Sequence, residues 1–252
     1  MKTLYKQSVA ELLGSLIYTF VGAGAICMDS FLQTSGQQGV GLLGIALAHA
    51  VGLAIAITMT MNVSGGFANP AITIGLLFVG KLNGKQAWYY VLAQVIGALI
   101  AGFFLTVPFS LAGSVVSSAG LGTPHSEASM QKLFHREMDM QLMAMSTLIE
   151  LLMTFVLTLG IFGTIIDRRA PRLGGWGVGL LAMVILYFGF PFTGAAMNPA
   201  RYLGTAVWEA GISNNWGKMS DCYVYLLGPV LGAVIASWIY DSYVLEEPAE
   251  AQ

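Results

Sequence analysis

The sequence predicts an all-α membrane protein of six transmembrane helices plus two re-entrant half-helices, arranged as an inverted repeat. Three observations predict it. Hydrophobic residues make up 56% of the chain and charged ones only 10%, against about 25% charged in soluble domains, so lipid is the solvent most of the surface must meet. Six apolar runs approach the roughly 20 residues that cross a ~30 Å hydrocarbon core: 9–28, 41–61, 87–107, 142–166, 176–192 and 224–244. The chain is also written twice, because SGGFANPA at 64–71 returns as TGAAMNPA at 193–200. A formal charge of −2 and the lack of a basic cluster exclude a nucleic-acid partner.

The first run follows Lys2 and Lys6, but it is too long for a signal-peptide core and lacks an A-x-A exit, so it is expected to remain in the protein. It opens with Glu11, Leu12 and Leu13, as the fourth run opens with Glu150, Leu151 and Leu152. The third and sixth runs match over a longer stretch, QVIGALIAG against PVLGAVIAS. These landmarks occur in the same order in each half, which marks a duplicated unit of three spans and one Asn-Pro-Ala segment. Repeat one covers about 1–108 and repeat two about 141–245, joined within a single domain, 1–252, by a long outer loop that carries His125 and His135. An odd number of spans per unit inserts the two halves upside down relative to each other.

Between the second and third runs, and again after the fifth, stands a short apolar stretch: 69–78 and 198–208. At 1.5 Å per residue each is roughly 15 Å long, half the hydrocarbon thickness. Asn69 and Asn198 are strong N-caps, and Pro70 and Pro199 suit the first helical position; Ala71 and Ala200 complete each motif. Two half-helices then start at mid-membrane from opposite faces. A backbone left unpaired at that depth is tolerated where it lines a wet cavity or is buried in protein. Each start carries about half a positive charge, so the meeting point repels cations and hydronium and orients a neutral molecule with lone pairs.

Basic residues set the orientation. Lys2, Lys6, Lys81, Lys85, Arg168, Arg169 and Arg172 fall on one side, and Lys132, Arg136, Lys218 and Arg201 on the other. The richer side is normally cytoplasmic, which puts both termini inside a multi-pass protein, with the cell membrane the expected location. Trp88, Tyr89, Tyr90, Trp238, Tyr240 and Tyr243 crowd run ends, where aromatic rings favour the interface. Cys27 and Cys222 read as unpaired small apolar residues. No nucleophile, base and orienter occur together, so no enzyme is expected, and no metal or cofactor is called for.

The stretches AELLGSLIYTFVGAGAI, SGGFANPAITIGLL, the second NPAR and GPVLGAVIASWIY resemble the aquaporins, or major intrinsic proteins, over nearly the whole chain. The resemblance implies one pore per subunit, usually in a homotetramer, and a selectivity filter outside the Asn-Pro-Ala pair. By spacing from the motifs the filter falls on His49, Leu186, Ala195 and Arg201. The resemblance also makes Glu11 and Glu150 supports for the segments before each half-helix. With His49 where water-selective relatives have Phe, and Leu186 where they have His, the set is similar to that of tonoplast intrinsic proteins. It implies passage of water, and of ammonia or other small neutral solutes, with exclusion of protons and ions. Glycerol facilitators carry Asp where Tyr202 stands, and water channels often carry Trp at Leu226 and His at Phe67. A glycerol or urea facilitator is the alternative within the family. A coupled secondary transporter is the alternative of another class; Glu11 and Glu150 are too few and too peripheral to supply its coupling site.

Overall fold

A computed structural model describes residues 2–111, 119–171 and 173–245. Its helices are α1 (Lys2–Thr34), α2 (Gly41–Ser64), α3 (Pro70–Phe78), α4 (Gly84–Leu111), α5 (Ser126–Phe134), α6 (Met140–Ile161), α7 (Trp176–Thr193), α8 (Pro199–Ile212) and α9 (Cys222–Tyr243). A π-helical turn, Phe162–Ile166, prolongs α6. Helices α1, α2, α4, α6, α7 and α9 lie within the six stretches long and apolar enough to cross a membrane. Phe20, Leu47, Leu152 and Val184 on these helices face outward and exposed, as expected of surfaces bathed in lipid.

Two differences from the sequence reading stand out. Helix α1 begins before and ends after the apolar run 9–28, since polar residues at its ends continue the helix beyond the hydrocarbon. Helix α8 runs to Ile212, past the expected stop at 208. Glu209, the first charge beyond the apolar stretch, is paired inside the fold with His125 and Lys218, and the helix continues through it.

Close approach between helices is set by glycine. Gly97 of α4 lies on the Leu12 carbonyl of α1, and Gly232 of α9 lies on the Leu151 carbonyl of α6; a Cβ at either would overlap the neighbouring backbone. The half-helices are wedged the same way. A Cβ at Gly75 of α3 would come 2.8 Å from the Ala233 carbonyl oxygen of α9, and one at Gly204 of α8 would come 2.6 Å from that of Ala98 in α4. Each half-helix therefore packs on the last span of the other half of the chain, the small-residue packing that membranes favour where no hydrophobic drive exists.

Lys81, just beyond α3, pairs with Asp241 of α9 at 2.7 Å. Arg169 is gripped by Asp167 and donates to the Val244 carbonyl at 2.8 Å. Lys218 lies at the opposite end, beside α8's last turn. Arg172 lies outside the described residues. Asp167 projects just past the π turn. Its carboxyl is held below the ordinary range, first by the Arg169 side-chain hydrogen bond and then by the Arg169 backbone N–H. Cys27 is buried, Cys222 is half-buried, and both are free thiols.

Candidate functional site

The site begins with two strained turns. After α2, Gly65, Gly66 and Ala68 adopt φ of 101°, 68° and 48°; after α7, Gly194, Ala195 and Met197 adopt 78°, 48° and 51°. Left-handed backbone at a non-glycine residue costs about 1–3 kcal/mol and persists only where its surroundings over-determine it. Two buried carboxylates do that. Glu11 accepts from Ser64 Oγ (2.6 Å), the Phe67 N–H (3.1 Å), the Ala68 N–H (2.7 Å) and Gln94 Nε2 (2.7 Å). Glu150 accepts from Thr193 Oγ1 (2.6 Å), the Ala196 N–H (3.0 Å) and the Met197 N–H (2.7 Å). Every one of these partners donates, so the N–H groups of the irregular backbone are satisfied from behind. Pro229, aligned with Gln94 in the second half, can supply no fourth donor.

With the N–H groups turned away, the carbonyls are free to cross. Asn69 Nδ2 donates to the Met197 carbonyl at 2.8 Å, and Asn198 Nδ2 donates to the Ala68 carbonyl at 2.9 Å. The two half-helices are thus tied tip to tip. Each Asn Oδ1 caps its own helix: Asn69 accepts from the Ala71 N–H (2.9 Å), and Asn198 from the N–H groups of Ala200 (2.9 Å) and Arg201 (3.2 Å). An amide nitrogen carries two hydrogens, so each Asn keeps one for a visitor. Asn69, Asn198, Tyr18, Leu53, Phe67, Leu157 and Val178 line the small void at this point, about 10 Å³, room for a single water-sized molecule.

One turn along α8 stands Arg201, 1% exposed, and across from it His49 of α2, equally buried. His49 Nδ1 lies 2.9 Å from the Ile45 carbonyl. A carbonyl can only accept, so the hydrogen sits on Nδ1 and leaves Nε2 as acceptor, 3.5 Å from Arg201 Nη2. Among the described residues Arg201 Nε and Nη1 have no protein partner. Buried donors of that kind require water or a solute with lone pairs. Leu186 and Ala195 are buried in the central apolar cluster, and α7 reaches Ala195 through Gly189, whose Cβ position is 3.4 Å from Ala195 Cβ. The fold therefore joins His49 to Arg201 directly and buries Leu186 and Ala195 in the central apolar cluster.

A further cavity of about 280 Å³ is lined in part by Thr123, His125, Gly194 and Glu209. His125 Nε2 lies 2.8 Å from Glu209 Oε2, and Lys218 Nζ donates to Glu209 Oε1 at 2.8 Å. Asp221 accepts from the Ser126 N–H and Oγ at 2.8 and 2.9 Å, anchoring the start of α5. His135 is exposed at the far end of α5 and takes no part. Sequence reasoning missed Tyr18, Glu209 and Asp221; nothing in their spacing singles them out.

A family model described as "Major intrinsic protein" matches residues 1–240. The chain belongs to this family. By that membership it is a membrane channel for small neutral solutes, and its six spans and paired half-helices are those of a multi-pass integral membrane protein. The chain is 30% identical to the probable aquaporin TIP3-2 of Arabidopsis thaliana, the match covering 95% of this chain and 84% of the relative. It is 32% identical to aquaporin TIP4-4 of Zea mays (95% and 86%) and 34% identical to the lens fiber major intrinsic protein of Gallus gallus (95% and 81%). Its fold is similar to the X-ray structure of the aquaglyceroporin from Plasmodium falciparum, with a TM-score of 0.77 at 20% identity, covering 96% of this chain and 97% of that one.

Proposed function

We propose that this member of the family is a passive pore for water and for neutral ammonia, closed to protons and ions, with His49, Leu186, Ala195 and Arg201 as its filter. The carrying observation is the buried Arg201–His49 pair, a cation with two unpartnered donors beside an imidazole acceptor at 3.5 Å. A solute shedding its water shell meets donors on one side and an acceptor on the other. Ammonium meets like charge in a poorly screened space. Leu186 and Ala195 offer neither charge nor bulk, which leaves room for a solute slightly larger than water.

The remaining readings rest on the repeated motifs, the charge asymmetry and the family resemblance. The two crossed Asn-Pro-Ala tips act as the second, proton-excluding point. Glu11 and Glu150 are structural supports, and the halves 1–108 and 141–245 are the two inverted repeats. The basic end is cytoplasmic, the cavity lined by His125 and Glu209 opens outside, and the functional unit is a homotetramer in the cell membrane.

The test is stopped-flow shrinkage of proteoliposomes, with ammonia and glycerol uptake and a pH-gradient probe run beside it. Water and ammonia permeability should exceed empty vesicles without dissipating the pH gradient, and His49→Phe with Leu186→His should lower the ammonia-to-water ratio at least threefold while water flux persists. An unchanged ratio refutes the filter assignment. Glycerol flux comparable to water would move the protein to the facilitators, and flux that follows a proton or sodium gradient would make it a coupled transporter.

A further inference from the structure

The seat of His49 is on a neighbouring helix. Its imidazole packs against α1 where residue 22 is glycine: a Cβ built there would lie 2.5 Å from His49 Cδ2, 2.6 Å from Nε2 and 3.1 Å from Cγ. One turn earlier Tyr18 meets the ring edge-on, with centroids 6.1 Å apart and planes at 76°. Behind it the Ile45 carbonyl fixes Nδ1, and ahead of it Arg201 Nη2 stands 3.5 Å from Nε2. The ring is therefore bounded by its own helix, by Tyr18 and by Arg201, and the fourth side exists only because Gly22 has no side chain.

We infer that Gly22 is a specificity-determining position of this channel, a positioning residue that holds the His49 imidazole back against α1 and so sets the gap between it and Arg201. Carbon atoms rest about 3.5–4.0 Å apart, so a methyl at residue 22 must displace the ring by about 1 Å. The Ile45 bond and Tyr18 resist other movements, and the shift runs toward Arg201. Because Nε2 already stands 3.5 Å from Arg201 Nη2, the shift presses the acceptor onto the guanidinium, where it no longer faces solute. Space at residue 22 and bulk at residue 49 are in this way a single variable. A different face of α1 gives a contrast: among the described residues a Cβ at Gly24 would meet Leu105 Cδ2 of α4 at 3.4 Å, an ordinary contact.

This inference rests on the reading of His49 as a filter residue, and the experiment separates the two. Wild type, Gly22→Ala, Gly24→Ala, His49→Ala and Gly22→Ala with His49→Ala are reconstituted at equal protein density, after size-exclusion and circular-dichroism checks. Water and ammonia permeabilities are then measured in the same vesicles. Gly22→Ala should lower water flux at least fivefold and ammonia flux more, Gly24→Ala should leave both unchanged, and the double variant should return to the values of His49→Ala. If Gly22→Ala matches wild type while His49→Ala changes the ratio, or if the folded double variant stays blocked, the role of Gly22 is overturned. If His49→Ala itself changes neither flux nor ratio, the filter reading fails, and the inference fails with it.

Discussion

Replacing Glu150 by Gln keeps the shape of the side chain and removes one acceptor from a site that needs two. Glu150 Oε1 accepts from Thr193 Oγ1 and the Ala196 N–H, and Oε2 accepts from the Met197 N–H. A glutamine can place its single oxygen in the two-donor position, which leaves its NH₂ facing the Met197 N–H. The Met197 N–H and the new NH₂ are then buried donors facing each other with no acceptor, and the lost N–H bond alone costs about 1–3 kcal/mol. The strained φ of 51° at Met197 loses the bond that holds it, and the Met197 carbonyl is what Asn69 Nδ2 grips. For a chain of this size 1 kcal/mol moves the melting temperature by about 2–4 °C, so Glu150→Gln should melt roughly 2–12 °C lower. Glu11→Gln is the internal control. There the Gln94 amide can turn over and present its oxygen to the new NH₂, leaving the Ala68 N–H to lose its partner, while Pro229 offers Glu150 no such help. Tryptophan-fluorescence melting in detergent, with water flux in vesicles, gives both readouts. A Glu150→Gln protein that melts within 1 °C of wild type and conducts normally would refute the clamp, and a larger loss from Glu11→Gln would refute the Gln94 argument.

On the proposed filter Ala195 lines the pore, whereas Cys27 is buried between α1 and α4 and Cys222 lies beside Tyr202, so the wild type should resist mercurials and Ala195→Cys should become sensitive; stopped-flow flux before and after mercuric chloride decides it, and full block of the wild type would contradict the placement. Asp167 has a carboxyl held low by Arg169, so its contribution to stability is complete above the unfolded value near 3.9 and is lost as pH falls through the lower folded value. The melting gap between wild type and Asp167→Asn should therefore be constant from pH 7 to 5 and shrink below pH 4; a gap that stays constant down to pH 3 would show that the ionised carboxylate is not what stabilises this end.

The spans and half-helix starts were legible because lipid leaves few choices. A run of about 20 apolar residues must cross, and an Asn-Pro opening a shorter run must begin at mid-depth. Helix ends were less legible. Helix α8 runs past the apolar stretch that ends at Trp208, because contacts with His125 and Lys218 hold Glu209 inside the fold. The left-handed turns at Ala68, Ala195 and Met197 left no mark either. Glycine would have announced them, but here distant carboxylates hold alanine and methionine in a conformation that neither prefers.

By itself the sequence determined the class of solvent, the number of crossings, the inverted duplication and the two capped tips, since each follows from local composition and from the parity of the spans. Only the tertiary structure decided that the tips tie to each other through Met197 and Ala68, that His49 turns its Nε2 toward Arg201, and that Gly22 on another helix makes the room for it. Those are contacts between residues far apart in the chain. They depend on how closely helices cross, and a periodic apolar pattern carries the direction of a helix face but not the ångström-scale distance to its neighbour.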